Sequence, residues 1–97
     1  MSNEYYVYIL TDENNAVLYT GVTSALTRRV AENRAGPGAG FITANRVTKL
    51  VYYETFGELN PAIAREKQIK ADPRQKKLDL VKRMNPHWRD LYADLAA

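Results

Sequence analysis

Two consecutive runs, Tyr5 to Thr11 and Ala16 to Val22, are dominated by β-branched and aromatic residues, and the Asp12-Glu13-Asn14-Asn15 stretch between them is turn chemistry. The pair predicts a β-hairpin. Its strands are apolar on both parities, with Tyr6, Tyr8 and Leu10 alternating with Val7 and Ile9. A strand with one wet face alternates apolar with polar residues, so this pattern requires a sheet at least partly covered on both faces. Helices must therefore pack on it, and the rest of the chain supplies them.

After Gly21, Thr23 or Ser24 can cap a helix whose stripe Leu26, Val30 and Asn33 points inward and which ends near Arg34, before Gly36-Pro37-Gly38. Arg29 and Asn33 are four residues apart and share one face. Residues 35–40 read as a loop, and Phe41 to Arg46 as either a helical turn or irregular chain. Lys49 to Phe56 is a third strand. Asn60 as a cap and Pro61 at the first helical position predict a helix to about Lys70. Asp72-Pro73 breaks it and starts another, with Leu78, Leu80 and Val81 as apolar positions to about Met84. Trp88, Leu91 and Tyr92 give the tail enough bulk to dock as a last helical turn. The expected fold class is α/β in the α+β sense: a small three-stranded antiparallel sheet flanked by helices, in the order β-β-α-β-α-α. At 97 residues and 45% apolar, the chain suits a single domain spanning 1–97, with a core of about 4–83 and a docking tail of 84–97.

The chain has no Cys and one His, which removes disulfides, thiolate zinc sites, cysteine nucleophiles and multi-histidine metal sites. A hard, oxygen-ligated cation remains compatible. The start Met1-Ser2-Asn3-Glu4 lacks the basic n-region and long apolar run of a secretory signal, and no apolar stretch is long enough to span a membrane, so the expectation is a cytoplasmic protein. The net charge of +3 is modest, but all 14 Lys and Arg lie at or after Arg28, and residues 65–83 hold eight of them against three acids. That local excess suits a phosphate backbone, and equally a solvated helix surface. The backbone-contact candidates are Arg28, Arg46, Arg65, Lys67 and Lys70.

Four residues on successive elements stand out: Tyr8 and Tyr19 on the first two strands, Arg29 on the first helix and Glu66 on the second. Seven Tyr in 97 residues make sheet-face aromatics commonplace, and Arg29 beside Arg28 is an ordinary solvent pair taken alone. Glu66 is the odd one, three residues from both Ile63 and Ile69 and so on or beside the apolar stripe. A carboxylate there is costly unless it is paired or binds a cation. Glu54, at the end of the third strand, reads as a solvated carboxylate, and His87 and Trp88 as structural residues of the tail. Gly21 reads as permitting a tight strand-to-helix passage or close approach of a phosphate.

Hydrolysis of a phosphodiester requires an activated water, charge stabilisation on the phosphoryl oxygens and help for the departing alkoxide. A tyrosine whose phenolate is favoured by a nearby cation or guanidinium can activate water. Arg29 can hold a nonbridging oxygen through its planar fork, and Glu66 can anchor Mg²⁺ or Mn²⁺ while water and phosphate take the other positions.

Tyr6-Val7-Tyr8, then Tyr19-Thr20-Gly21, Leu26-x-x-Arg29-Val30 and Ala64-Arg65-Glu66-Lys67-Gln68-Ile69-Lys70, resemble in order and spacing the GIY-YIG nuclease superfamily. More narrowly, the chain is similar to its small single-domain bacterial members, including the closing Asn85-Pro86-x-Trp88-x-Asp90-Leu91-Tyr92. The resemblance implies a three-stranded antiparallel sheet flanked by helices and a single-metal site. Its catalytic residues would be Tyr8, Tyr19, Arg29, Glu66 and Asn33, with Glu66 the ligand of one Mg²⁺ or Mn²⁺. Tyr8 is taken as the base, with Tyr19 orienting water or phosphate. The chain departs from the family at three places. Tyr6 replaces the first glycine of the signature, Asn33 stands where relatives have His or Tyr, and Ala44-Asn45 replaces basic or aromatic loop residues. Asn33 cannot shuttle a proton near neutral pH.

The expected function is a metal-dependent endonuclease on DNA, with RNA left open, selecting substrate by structure and acting as a monomer or weak homodimer. The alternative is a nucleic-acid-binding module of the same fold that has lost efficient chemistry. A small domain whose basic helices meet an acidic protein is a third reading, which leaves the four ordered site residues unexplained.

Overall fold

A computed structural model describes residues 4–35 and 46–96. The residues Ala44 and Asn45 and most of the Phe41 to Arg46 segment lie outside the described residues. The chain runs β1 (Tyr5–Thr11), β2 (Leu18–Thr23), α1 (Leu26–Ala35), β3 (Lys49–Phe56), α2 (Leu59–Ala71), α3 (Arg74–Met84) and a short α4 (Tyr92–Ala96). The three strands form one antiparallel sheet in the order β2-β1-β3, with β1 in the centre.

Asp12 sets the start of β2. Its carboxylate accepts the backbone N–H groups of Ala16 at 2.7 Å and Val17 at 3.0 Å, which closes the turn and withholds those two residues from the ladder. The strand therefore begins at Leu18, two residues later than the residue pattern predicts, and runs on to Thr23. Thr23 ends it and starts α1, its hydroxyl accepting the N–H of Ala25 at 3.1 Å. In α2 the expected Asn60 cap is displaced. The helix begins at Leu59 behind Glu58, which makes no side-chain cap, and Pro61 falls in the first turn. Proline is tolerated there because first-turn N–H groups have no intrahelical acceptor.

Both faces of the sheet are covered. On one, Tyr8, Leu10 and Leu50 pack with Leu26 and Val30 of α1 and Leu91 of the tail. On the other, Val7, Ile9, Val51 and Tyr52 pack with Ala62 and Ile69 of α2 and Val81 of α3. Central β1 is buried from Val7 to Thr11, as expected of a strand with helices on both sides. A register shift between Ile9 and Leu10 against β3 carries Leu50 onto the α1 face.

The tail is held by polar clips as well as by apolar bulk. Buried Asn85 donates to the carbonyls of Val51 (3.2 Å) and Arg89 (2.8 Å) and accepts the N–H of Arg89 (3.1 Å). Asp90 accepts the N–H of Leu50 at 3.1 Å and also binds the Arg34 guanidinium, which lies 4.4 Å over the Tyr92 ring. The last turn of α1 is thereby tied to β3 through the tail.

Candidate active site

Tyr8 is the centre of the site. It is fully buried on β1, and in the antiparallel register it faces Gly21 of β2. A Cβ on Gly21 would lie 2.5 Å from the Tyr8 hydroxyl oxygen and 2.6 Å from Cζ. The phenol thus lies across the β2 backbone, in space that only glycine leaves open. The reading of Gly21 as a strand-to-helix passage is corrected accordingly: it sits within β2, and the residue approaching it is Tyr8. The Tyr19 ring, on the same face, is tilted 43° to that of Tyr8 at 6.4 Å between centroids.

Arg29 and Glu66 close the cluster. The Tyr8 hydroxyl is pushed above its ordinary pKa of 10.0 by burial first and then by Tyr19; Arg29 pulls it down and the Glu66 charge raises it. Tyr19, Arg29 and Glu66 therefore all act on the Tyr8 oxygen. The buried hydroxyl has no hydrogen-bond partner among the described residues, although the Arg29 guanidinium is near enough to lower its pKa. Burial outweighs the guanidinium, so Arg29 alone does not bring the Tyr8 hydroxyl below its ordinary pKa.

Glu66 lies on the buried stripe of α2, between Ala62 and Ile69. Ile63, expected to face inward with Ile69, is only half-buried, because the helical phase puts Ala62 under the sheet instead. The Glu66 side chain is 15% exposed and pairs with Lys70 at 3.3 Å, four residues on. Asn33 is buried on α1 with its side-chain amide nitrogen unpartnered among the described residues, whereas Arg29, one turn earlier, is exposed. The two straddle the rim of the α1 face.

The expected backbone-contact residues divide. Arg28, Arg46 and Lys67 are exposed, Arg28 making only a 4.0 Å contact with Glu32. Lys70 is half-exposed and engaged with Glu66. Arg65 turns inward: its guanidinium reaches both Glu54 carboxylate oxygens at 2.8 to 3.1 Å, and Gln68 at 2.9 Å. Glu54 also accepts the Tyr52 hydroxyl and is not a solvated carboxylate. Burial pushes its carboxyl up, but Arg65 and Tyr52 outweigh this and hold it below the ordinary carboxylate range. This β3–α2 clasp carries no sequence signal beyond two opposite charges 11 residues apart.

The model of the GIY-YIG catalytic domain matches residues 4–79. The chain belongs to the GIY-YIG family. As a GIY-YIG domain it falls in a nuclease family. It is 40% identical over 78 residues to a UPF0213 protein of Staphylococcus haemolyticus, covering 80% of this chain and 94% of that one. A UPF0213 protein of Natronomonas pharaonis is 41% identical over 81 residues, covering 84% and 94%. The solution NMR structure of a UPF0213 protein from Bacillus halodurans superposes with a TM-score of 0.57 at 29% identity, covering 90% of this chain and 92% of that one. This GIY-YIG chain shares with that neighbour the three-stranded antiparallel sheet and its helices. No helix among the described residues is long and apolar enough to cross a membrane.

Proposed function

We propose that the protein is a divalent-metal-dependent endonuclease that hydrolyses phosphodiester bonds in DNA and selects its substrate by structure. The observation that carries this reading is the Tyr8 hydroxyl, buried without a hydrogen-bond partner among the described residues, beside the Tyr19 ring and within electrostatic reach of Arg29 and Glu66, in a chain matched over residues 4–79 by the GIY-YIG catalytic domain. A buried polar group left without a partner costs about 1–3 kcal/mol, and such groups concentrate where function requires them.

The donor set fits a hard cation. Among the described residues no group of three or more His, Cys, Asp or Glu is placed to hold a metal. Glu66 would be the single protein carboxylate, with water and phosphate oxygens completing the shell, as Mg²⁺ and Mn²⁺ accept. When bound, such a cation supplies Lewis-acid charge to the phosphoryl oxygens. Arg29, exposed beside the Tyr8 hydroxyl, holds a nonbridging oxygen through its donor fork. Tyr8 takes the attacking water by its unpartnered hydroxyl, and Tyr19, stacked obliquely beside it, orients water or phosphate. Tyr8 acts in its phenolate form: the new P–O bond forms as the bond to the leaving sugar oxygen breaks, the water's proton passes to the Tyr8 oxygen, and the leaving oxygen takes a proton from solvent. Burial opposes that ionisation, and Arg29 favours it.

The test is cleavage of labelled single-stranded, duplex, flap and branched DNA with Mg²⁺ or Mn²⁺, beside Glu66→Ala. Cleavage by the wild type and its loss in Glu66→Ala, with binding retained, is the expected result. Cleavage retained by Glu66→Ala would sink the site assignment. Binding without cleavage in the wild type, with Asn33 in place of a proton-shuttling side chain, would assign the chain to a binding module of the same fold.

A further inference from the structure

Beside the tyrosine cluster lies a pocket of about 270 Å³, walled by Tyr6, Ser24, Ala25, Thr27, Arg28 and Leu95. It adjoins the candidate site along two elements. Tyr6 precedes Tyr8 by two residues on the same face of β1, a strand step of roughly 7 Å, and Arg28 precedes Arg29 on α1. The Tyr6 ring is fixed at both ends. Its hydroxyl donates to the Glu4 carboxylate at 2.8 Å, and it meets the Tyr53 ring edge-on at 6.4 Å and 66°. Ala25 and Leu95 give apolar surface, Ser24 and Thr27 are exposed hydroxyls, and the Arg28 side chain is 75% exposed. The family signature has glycine at the position of Tyr6, so this wall is one that the signature itself does not build.

We propose that this pocket takes an unpaired nucleobase of the DNA strand, one nucleotide from the phosphate held by Arg29, with Tyr6 as the stacking face and Arg28 on the flanking phosphate. The inference rests on the nuclease reading for its register and deepens it. A base inside a duplex is paired and stacked on both faces and enters only at a cost of about a few kcal/mol, whereas a flap or a branch point presents one already freed. A fixed aromatic face with a cation beside it binds any base, because every base has a π-face. Selectivity for structure follows without any reading of base sequence.

Equilibrium binding by fluorescence anisotropy, with EDTA present so that no strand is cut, separates the pocket from the chemistry. The probes are a flap DNA and a nicked duplex of matched length and charge. Tyr6→Ala is expected to weaken flap binding on the order of tenfold, the size of one base–aromatic stack, and to leave duplex binding and the salt slope unchanged. Tyr6→Phe keeps the ring and retains most of the affinity. Arg28→Ala lowers the salt slope by roughly one on both probes. Equal loss on both probes with Tyr6→Ala, or no loss, overturns the proposal. Should Tyr6→Ala fail to fold, Thr27→Trp, at an exposed position, plugs the pocket and is expected to give the same flap-selective loss; unchanged flap binding then overturns it. Cleavage by the wild type with Mn²⁺ is scored separately. A flap-selective effect without cleavage would keep the pocket and discard the nuclease reading, and cleavage without that effect would do the reverse.

Discussion

The hydroxyl of Tyr8 is buried without a partner among the described residues, and that arrangement has opposite consequences for stability and for chemistry. Tyr8→Phe removes a desolvated oxygen and keeps the ring in its place over Gly21. We expect thermal stability unchanged or raised by about 1 kcal/mol while cleavage falls at least a hundredfold; a calorimetric melt and a cleavage time course on the same preparation check both. Gly21→Ala acts the other way. Its methyl would stand 2.5 Å from the Tyr8 hydroxyl oxygen, so the ring must shift. We expect destabilisation of about 1–3 kcal/mol, in the range of overpacked cores, together with loss of cleavage. Restored stability in the Gly21→Ala, Tyr8→Ala double variant, read from denaturant melts, would identify that clash as the cause.

At the scale of elements, the helix that carries Glu66 is clasped to β3 by the Arg65–Glu54 pair and the Tyr52 hydroxyl. Because Glu54 titrates below its ordinary 4.5 in the folded protein, the clasp contributes stability above that pH and loses it as pH falls through the folded value. The Tyr52 phenol runs the opposite way. Burial first, then its bond to Glu54, raise it from 10.0 to about 12, so its contribution is present below pH 10 and is lost as pH climbs toward 12. Circular-dichroism melts of the wild type should show stability falling at both extremes. Glu54→Gln should reduce the acid limb, and Tyr52→Phe the alkaline one, with Asp12 and the buried Tyr8 supplying what remains. Wild-type curves flat from pH 10 to 12 would contradict the burial argument.

Over the whole molecule, residues 85–92 lie beyond the 4–79 matched by the family model, yet they hold two distant elements in register. Asp90 joins the Leu50 N–H of β3 to Arg34 at the end of α1, while Leu91 is buried under the Tyr8 face of the sheet. Asp90→Ala strands the Leu50 N–H and frees Arg34. We expect a loss of about 1–3 kcal/mol, which for a chain of this size lowers Tm by roughly 4–8 °C per kcal/mol. Since α1 carries Arg29 and Asn33, the same variant should cut cleavage by more than its unfolded fraction at the assay temperature accounts for, measured well below Tm. Equal losses in the two would make the clip purely structural.

Much of the fold is written locally. The apolar parities of Tyr6 to Leu10 required two covered faces, and β1 and β3 begin and end where their β-branched and aromatic runs do, because those signals act over a few residues. The tetrad's order along the chain was legible through a resemblance, and so was the family. What only the tertiary structure decided depends on residues far apart. The Tyr8–Gly21 pairing came from strand register, and Ala62 replaced Ile63 on the inward stripe through helical phase against the sheet. Arg65 was turned away from solvent by a carboxylate on another element. The direction of the Tyr8 pKa was decided by burial outweighing Arg29, a balance of desolvation against charge that exists only once the chain has closed around the phenol.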